Sequence, residues 1–180
     1  LINLKFIKMI YQLKRELFVK SSVDNIWNFA SNPYNLSKIT PTYMSFNIKT
    51  PNLNQTIYPG MIIEYTVSPV LKIPMNWVTE ITHVKEKSIF IDEQRFGPYK
   101  MWHHEHQFIK KNDGVIMKDI ISYIPPFGII GHISNKLFIE KQLKEIFDYR
   151  EKVMIFLDVV ERVCHRGQYY LIPQIYPVLV

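Results

Sequence analysis

The sequence predicts an α+β domain: a curved antiparallel sheet of about seven strands wrapped around a long C-terminal helix, with two short helices after the first strand. Three observations predict it. Between Tyr43 and Ile124 polar and apolar residues follow period two, and short turn-type links divide the run. After Pro125-Pro126 the apolar spacing becomes three and four and stays so for about thirty residues, roughly 45 Å of helix. A short amphipathic stretch follows the first alternating segment. A strongly bent sheet cannot be filled everywhere by one helix, so an internal cavity is expected.

Each element has its local reason. Tyr11 to Phe18 alternates as a first strand. In "SSVDNIWNFASNP" Ser22 is a candidate N-cap, Val23, Ile26, Trp27 and Ala30 form an apolar stripe, and Asn32-Pro33 ends the helix. "YNLSKIT" offers a second helical turn before Pro41. The spans 43–49, 60–68, 75–84, 88–96, 101–110 and 114–124 read as strands of a meander. Their links carry Pro51, Pro59-Gly60, Pro69 to Pro74, Lys85 to Lys87, Gly97-Pro98 and Asn112 to Gly114. In the long helix Ile130, Ile133, Leu137, Ile139, Leu143, Ile146, Phe147, Val153, Met154 and Leu157 keep one apolar stripe. Glu140–Lys144 and Lys141–Glu145 are supporting pairs on its other side.

The chain divides into an extension over 1–10, a domain over 11–157 and an apolar, Tyr- and Pro-containing tail over 158–180 without clear period. Its 180 residues, 47% hydrophobic and 14% aromatic, suit one domain with a full core. With 6 Gly and no phosphate-binding or dinucleotide glycine fingerprint, nucleotide-cradling chemistry is not indicated. The net charge of +6 is scattered rather than clustered, which reads as a solvated surface and not as a nucleic-acid site; weak contact with an anionic membrane surface fits the same excess. One cysteine, Cys164, excludes an intrachain disulfide. The first residues are broken by Lys5, Lys8, Lys14 and Arg15 and make a poor signal peptide; Met9 is a candidate start. No window is apolar enough to span a bilayer, and a cytoplasmic location is expected.

The stretch "MWHHEHQF" concentrates the chemistry. On a strand, residues two apart share a face, so Trp102, His104, His106 and Phe108 point one way and Met101, His103, Glu105 and Gln107 the other. The aromatics at both ends place the first set inward and make His103 and Glu105 surface residues. By the same rule Asp92 and Gln94, then Met117, Asp119 and Tyr123, then Trp77 face inward. Buried polar groups must be paired. Asp119–His104 or Asp92–His106 contacts would do this and would raise the histidine pKa values. A metal site needs at least three ligands. One face of this strand supplies two, and Lys110 and Lys111 stand where a cupin-type glutamate would be, so no metal is expected. Acid–base catalysis by His104 or His106 with Asp119, a mostly apolar ligand pocket, and a purely structural hydrogen-bonded cluster all remain open on these residues.

The strings "FASNPYNLSKITP", "YPGMIIEYTVSP", "WVTEIT", "FIDEQRFGPYKMWHHEHQF" and "GVIMKDIISYIPPFG", with the long helix, resemble the SRPBCC superfamily, the START and birch-pollen-allergen-like helix-grip proteins. More narrowly, the chain is similar to a bacterial branch of small ligand-binding-type proteins. Relatives of that branch also occur fused to an epimerase-like domain under the label "cell division inhibitor". The resemblance covers roughly residues 11 to 157. It implies a deep cavity between sheet and helix; superfamily members bind lipids, sterols, plant hormones or polyketides, and some are cyclases or hydratases.

The expected function is binding of a hydrophobic or amphipathic small molecule (lipid, isoprenoid or polyketide-like), without cofactor. Trp77, Trp102, Phe108, Met117, Ile133 and Leu137 would line the cavity. Asp92, Gln94, His104, His106, Asp119 and Tyr123 would form its polar end. The alternatives are an enzyme of the cyclase, dehydratase or hydrolase type, or a regulatory module linked to cell division or the envelope.

Overall fold

The computed structural model describes residues 10–68 and 73–165. Residues 1–9, with Met9, and the tail beyond 165 lie outside the described residues, as does most of the Pro69–Pro74 link. The chain forms β1 (Tyr11–Val19), α1 (Val23–Ala30), two 3-10 turns (Pro33–Ser37 and Thr42–Met44), β2 (Asn47–Ile48), β3 (Ile62–Val67), β4 (Met75–Lys85), β5 (Ile89–Phe96), β6 (Met101–Lys111), β7 (Gly114–Ile124), α2 (Gly128–Ser134), a π-helical turn (Asn135–Ile139) and α3 (Glu140–His165).

All seven strands form one antiparallel sheet in the order β1-β7-β6-β5-β4-β3-β2. Short links dictate neighbours from β4 to β7, and β1 closes on the far side of β7 over nine paired positions, from Tyr11↔Tyr123 to Val19↔Val115. Gly114 opens β7 because a Cβ there would run into the Val19 carbonyl oxygen.

α1 starts where its sequence says: the Ser22 hydroxyl accepts from the Asn25 N–H at 3.1 Å. Its stripe buries Ile26 and Trp27 against the sheet. Trp27 meets Phe108 edge-on at 5.4 Å and Phe90 at 6.1 Å, and Val19, Ile81, Val115 and Met154 complete this core. Each such side chain contributes about 1.5–3 kcal/mol by burial. Trp27→Ala, which leaves a cavity as well, would cost about 3–5 kcal/mol.

Two elements depart from expectation. The strand over 43–49 shrinks to the two residues of β2, because the 3-10 turn Thr42–Met44 follows Pro41 and Ser45 is left-handed at φ 47°, which breaks an extended run. The long helix is divided by the π-helical turn. A turn with i→i+5 bonding holds more residues than an α-turn and rotates the residues before it relative to α3. Ile139, Leu143, Ile146, Phe147, Val153 and Met154 turn inward or are partly covered, whereas Ile130, Ile133 and Leu137 stand out at 69%, 57% and 62% exposure. The helical backbone continues to His165. Among the described residues no helix is long and apolar enough to cross a membrane.

Candidate functional site

Between the concave face of the sheet and α3 lies a cleft of about 720 Å³. It is the size of site that holds a drug-sized molecule. Its walls are mainly apolar and aromatic, among them Trp77, Trp102, Met117, Leu143 and Phe147. Tyr65, Trp77 and Trp102 form a connected aromatic wall, with ring centres 5.9 Å and 5.3 Å apart along it.

The polar part comes from the pairing register of β5, β6 and β7. Asp92 stands opposite His104, and His106 opposite Asp119. The side chains then reach diagonally. His104 Nε2 lies 2.9 Å from Asp119 Oδ1, and His106 Nε2 lies 2.8 Å from Asp92 Oδ2. His106 Nδ1 is also 2.9 Å from Asp119 Oδ1, and His104 Nδ1 is 3.5 Å from Asp92 Oδ2. Two histidines, their ring centres 3.7 Å apart, and two carboxylates make a closed square. Both contacts anticipated from the strand faces form.

The electrostatics divide the two rings. Burial alone would raise the Asp119 carboxyl, but hydrogen bonds from His104 and His106 outweigh it and hold Asp119 far below the usual carboxylate range. Asp92 is lowered against its burial chiefly by His106. For His106 burial works downward, and the two carboxylates that its ring bonds overcome it, so its pKa rises above 6.5. With a carboxylate oxygen at each ring nitrogen, His106 is an imidazolium donating twice. His104 corrects the expectation that both rings would be raised: its burial, at 3% exposure, and the nearby charge of His106 depress it below 6.5 in spite of Asp119. It is the neutral member. The surface reading of His103 fits the other face, where its Nδ1 sits 2.8 Å from Glu93 among partly exposed charges.

The fold supplies the third ligand that the metal reading lacked, since donor atoms of Asp92, His104 and His106 lie within 4.8 Å of one another. Those atoms are however engaged with one another, and a metal would have to displace a proton from His106.

Of the residues expected at the site, Trp77, Asp92, Trp102, His104, His106, Met117 and Asp119 line the cleft. Five do not. Gln94 clamps the β5–β6 turn, its Nε2 donating to the Tyr99 carbonyl at 2.6 Å and its Oε1 accepting from the Tyr99 N–H at 3.1 Å. Phe108 belongs to the core under Trp27. Tyr123 stacks on Tyr11 at 5.7 Å toward β1. Ile133 and Leu137 are turned outward by the π-helical turn.

Sequence reasoning passed over Arg150. It lines the cleft from α3 with its guanidinium carbon 4.8 Å from the centre of the Phe147 ring. Its Nε is closed to solvent and has no hydrogen-bond partner among the described residues, and the same holds for the indole Nε1 of Trp77. The signal was present. Leu143, Ile146, Phe147, Arg150 and Met154 keep three-and-four spacing, so one arginine occupies a position of the buried stripe.

No protein-family model matches the chain, and no curated protein matches it in sequence. Solved structures do. The di-domain ARO/CYC StfQ from the steffimycin biosynthetic pathway matches with a TM-score of 0.64 at 8% identity, over 86% of this chain and 53% of that one. The nucleoside-diphosphate sugar epimerase from Corynebacterium glutamicum matches at 0.62 and 19% identity, over 85% of this chain but 30% of its own length. Ara h 8.0201 matches at 0.54 and 12% identity, over 81% of this chain and 98% of that one. At such identities the likeness concerns architecture alone. This chain has the α+β helix-grip fold, one curved antiparallel sheet closed by a long C-terminal helix, that these solved proteins share.

Proposed function

We propose that the protein binds a hydrophobic or amphipathic small molecule, lipid, isoprenoid or polyketide-like, in the cleft between sheet and α3, and that binding rather than turnover is its role. The observation that carries this reading is the composition of the 720 Å³ cleft: a mainly apolar, aromatic wall that also holds the cluster of Asp92, His104, His106 and Asp119. Similarity of fold to Ara h 8.0201 and to an ARO/CYC protein supports it as analogy only. The test is an organic extract of the purified full chain analysed by mass spectrometry. A molecule of that class in near-stoichiometric amount is expected; repeated extracts without any, together with failure to take up added amphiphiles, would refute the reading.

One observation favours a second reading. His104 is neutral, oriented by Asp119 and on the cleft wall, which is the arrangement of a general acid–base. In a cyclase, dehydratase or hydrolase His104 would move the proton and Asp119 would hold the ring. His106 would not serve, because both of its nitrogens are occupied by carboxylates. His104→Gln separates the readings: under the binding role stability falls and affinity survives, whereas an enzyme also loses turnover.

A further inference from the structure

The cleft contains buried donors with nothing to donate to. A buried N–H without an acceptor is costly, the more so on a charged group. Arg150 is in that position at its Nε, although the residue as a whole is only partly covered. Among the described residues no carboxylate lies within ion-pair distance of it, although Asp92 and Asp119 attract it through space. Those two acids are held by His104 and His106, Asp119 through Oδ1 and Asp92 through Oδ2, and neither reaches Arg150 as an ion pair. The other charged groups at the cleft are engaged elsewhere: Arg15 with Asp148 at 2.6 Å, and Glu16 with Lys118 at 2.8 Å. Glu151 also lines the cleft, but it comes one position after Arg150 and so leaves α3 about 100° away. The Arg150 charge therefore faces the cleft without a direct counter-ion. The second idle donor, Trp77 Nε1, stands on the opposite wall. Tyr65 is stacked on Trp77 at 5.9 Å and close enough to Arg150 for the two to influence each other.

We infer that the ligand is an amphipathic carboxylic acid. Its carboxylate pairs with the Arg150 guanidinium, its apolar body lies along the aromatic wall, and the Trp77 indole N–H donates to an oxygen of the same molecule. This rests on the cleft being a small-molecule site and adds the class of head group. Of the cations at the cleft, Arg15 and His106 are paired with carboxylates, so the choice of head group falls to Arg150, which has no hydrogen-bonded partner among the described residues.

The test titrates the full chain, freed of bound lipid, with decanoate and with 1-decanol by calorimetry. Decanoate is expected to bind at least about tenfold more tightly, the factor that a charge-assisted hydrogen bond supplies. In Arg150→Gln the two affinities should fall within about twofold of each other, and Arg150→Lys should keep part of the preference. Equal affinities in the unaltered protein would overturn the inference and leave the cleft reading standing. A preference unchanged in Arg150→Gln would overturn it as well. If neither compound binds, both this inference and the cleft reading fall. The comparison in the unaltered protein needs no variant to fold.

Discussion

The two walls of the cleft carry charge in opposite ways. On the sheet wall, Asp92, His104, His106 and Asp119 are withdrawn from water but satisfied by one another at 2.8–2.9 Å. On the helix wall Arg150 holds a donor that no described group accepts, and so does Trp77 on β4, away from that cluster. A satisfied buried cluster is a structural element: breaking it strands charges, so its removal shows first in stability. An unsatisfied donor aimed into a cleft adds nothing to the fold, so its removal shows first in binding. The walls are thus separable by experiment.

The largest expected effect is on the sheet wall. Asp119→Ala leaves the His106 imidazolium with Asp92 alone and removes the acceptor of His104, and it should cost about 3 kcal/mol or more in urea denaturation. A loss below about 1 kcal/mol would mean that the square is not holding the sheet. Next comes Arg150→Gln, whose conformational stability should change little while the preference for a carboxylate over an alcohol falls about tenfold. A large loss of stability with the preference intact would exchange the roles of the walls.

The pH dependence of stability sharpens the same contrast. His106 has a folded pKa above 6.5, so its contribution is fully present below about pH 6.5 and is lost as pH rises through the raised value. Asp92 and Asp119 are depressed below 3.8, so theirs is present above about pH 4 and is lost as pH falls through the depressed values. His104, depressed below 6.5, works against the fold once the pH drops under about 6.5. Urea midpoints against pH should therefore show a maximum with a decline on each side, and His106→Gln should flatten the alkaline decline. An unchanged alkaline decline in that variant would assign it to another group. The smallest effect is expected outside both walls: Ile133→Ser and Leu137→Ser, at exposed positions, should each change thermal stability by no more than about 0.5 kcal/mol.

Much of this was legible because a strand has an invariant period. Alternation alone places His104, His106, Asp92 and Asp119 on one face, and the short links at Gly97-Pro98 and Asn112 to Gly114 make their strands neighbours. What alternation cannot give is the second set of contacts, from His106 Nδ1 to Asp119 and from His104 Nδ1 to Asp92, which closes the square. Nor does it show that two adjacent histidines titrate apart, since that depends on depth and mutual repulsion. The helix was less legible. A repeat of three and four assumes a constant turn, and that assumption points Ile133 and Leu137 inward. The π-helical turn at Asn135–Ile139 breaks the constancy without a local residue that announces it. Arg150 is the opposite case: the spacing is unbroken, and only the convention that a charged residue faces solvent hides it.

The most direct test of carboxylate binding in the cleft is the indole N–H region of the 15N-labelled protein during titration with decanoate. The three tryptophans are placed differently: Trp77 and Trp102 line the cleft, and Trp27 is sealed in the core at 3% exposure. A carboxylic acid seated between Arg150 and Trp77 predicts that the Trp77 indole N–H and the Arg150 Nε–H move together and saturate, while the Trp27 signal stays in place. Movement confined to the exposed segment around Phe127 and Phe138, with Trp77 and Arg150 unchanged, would contradict it.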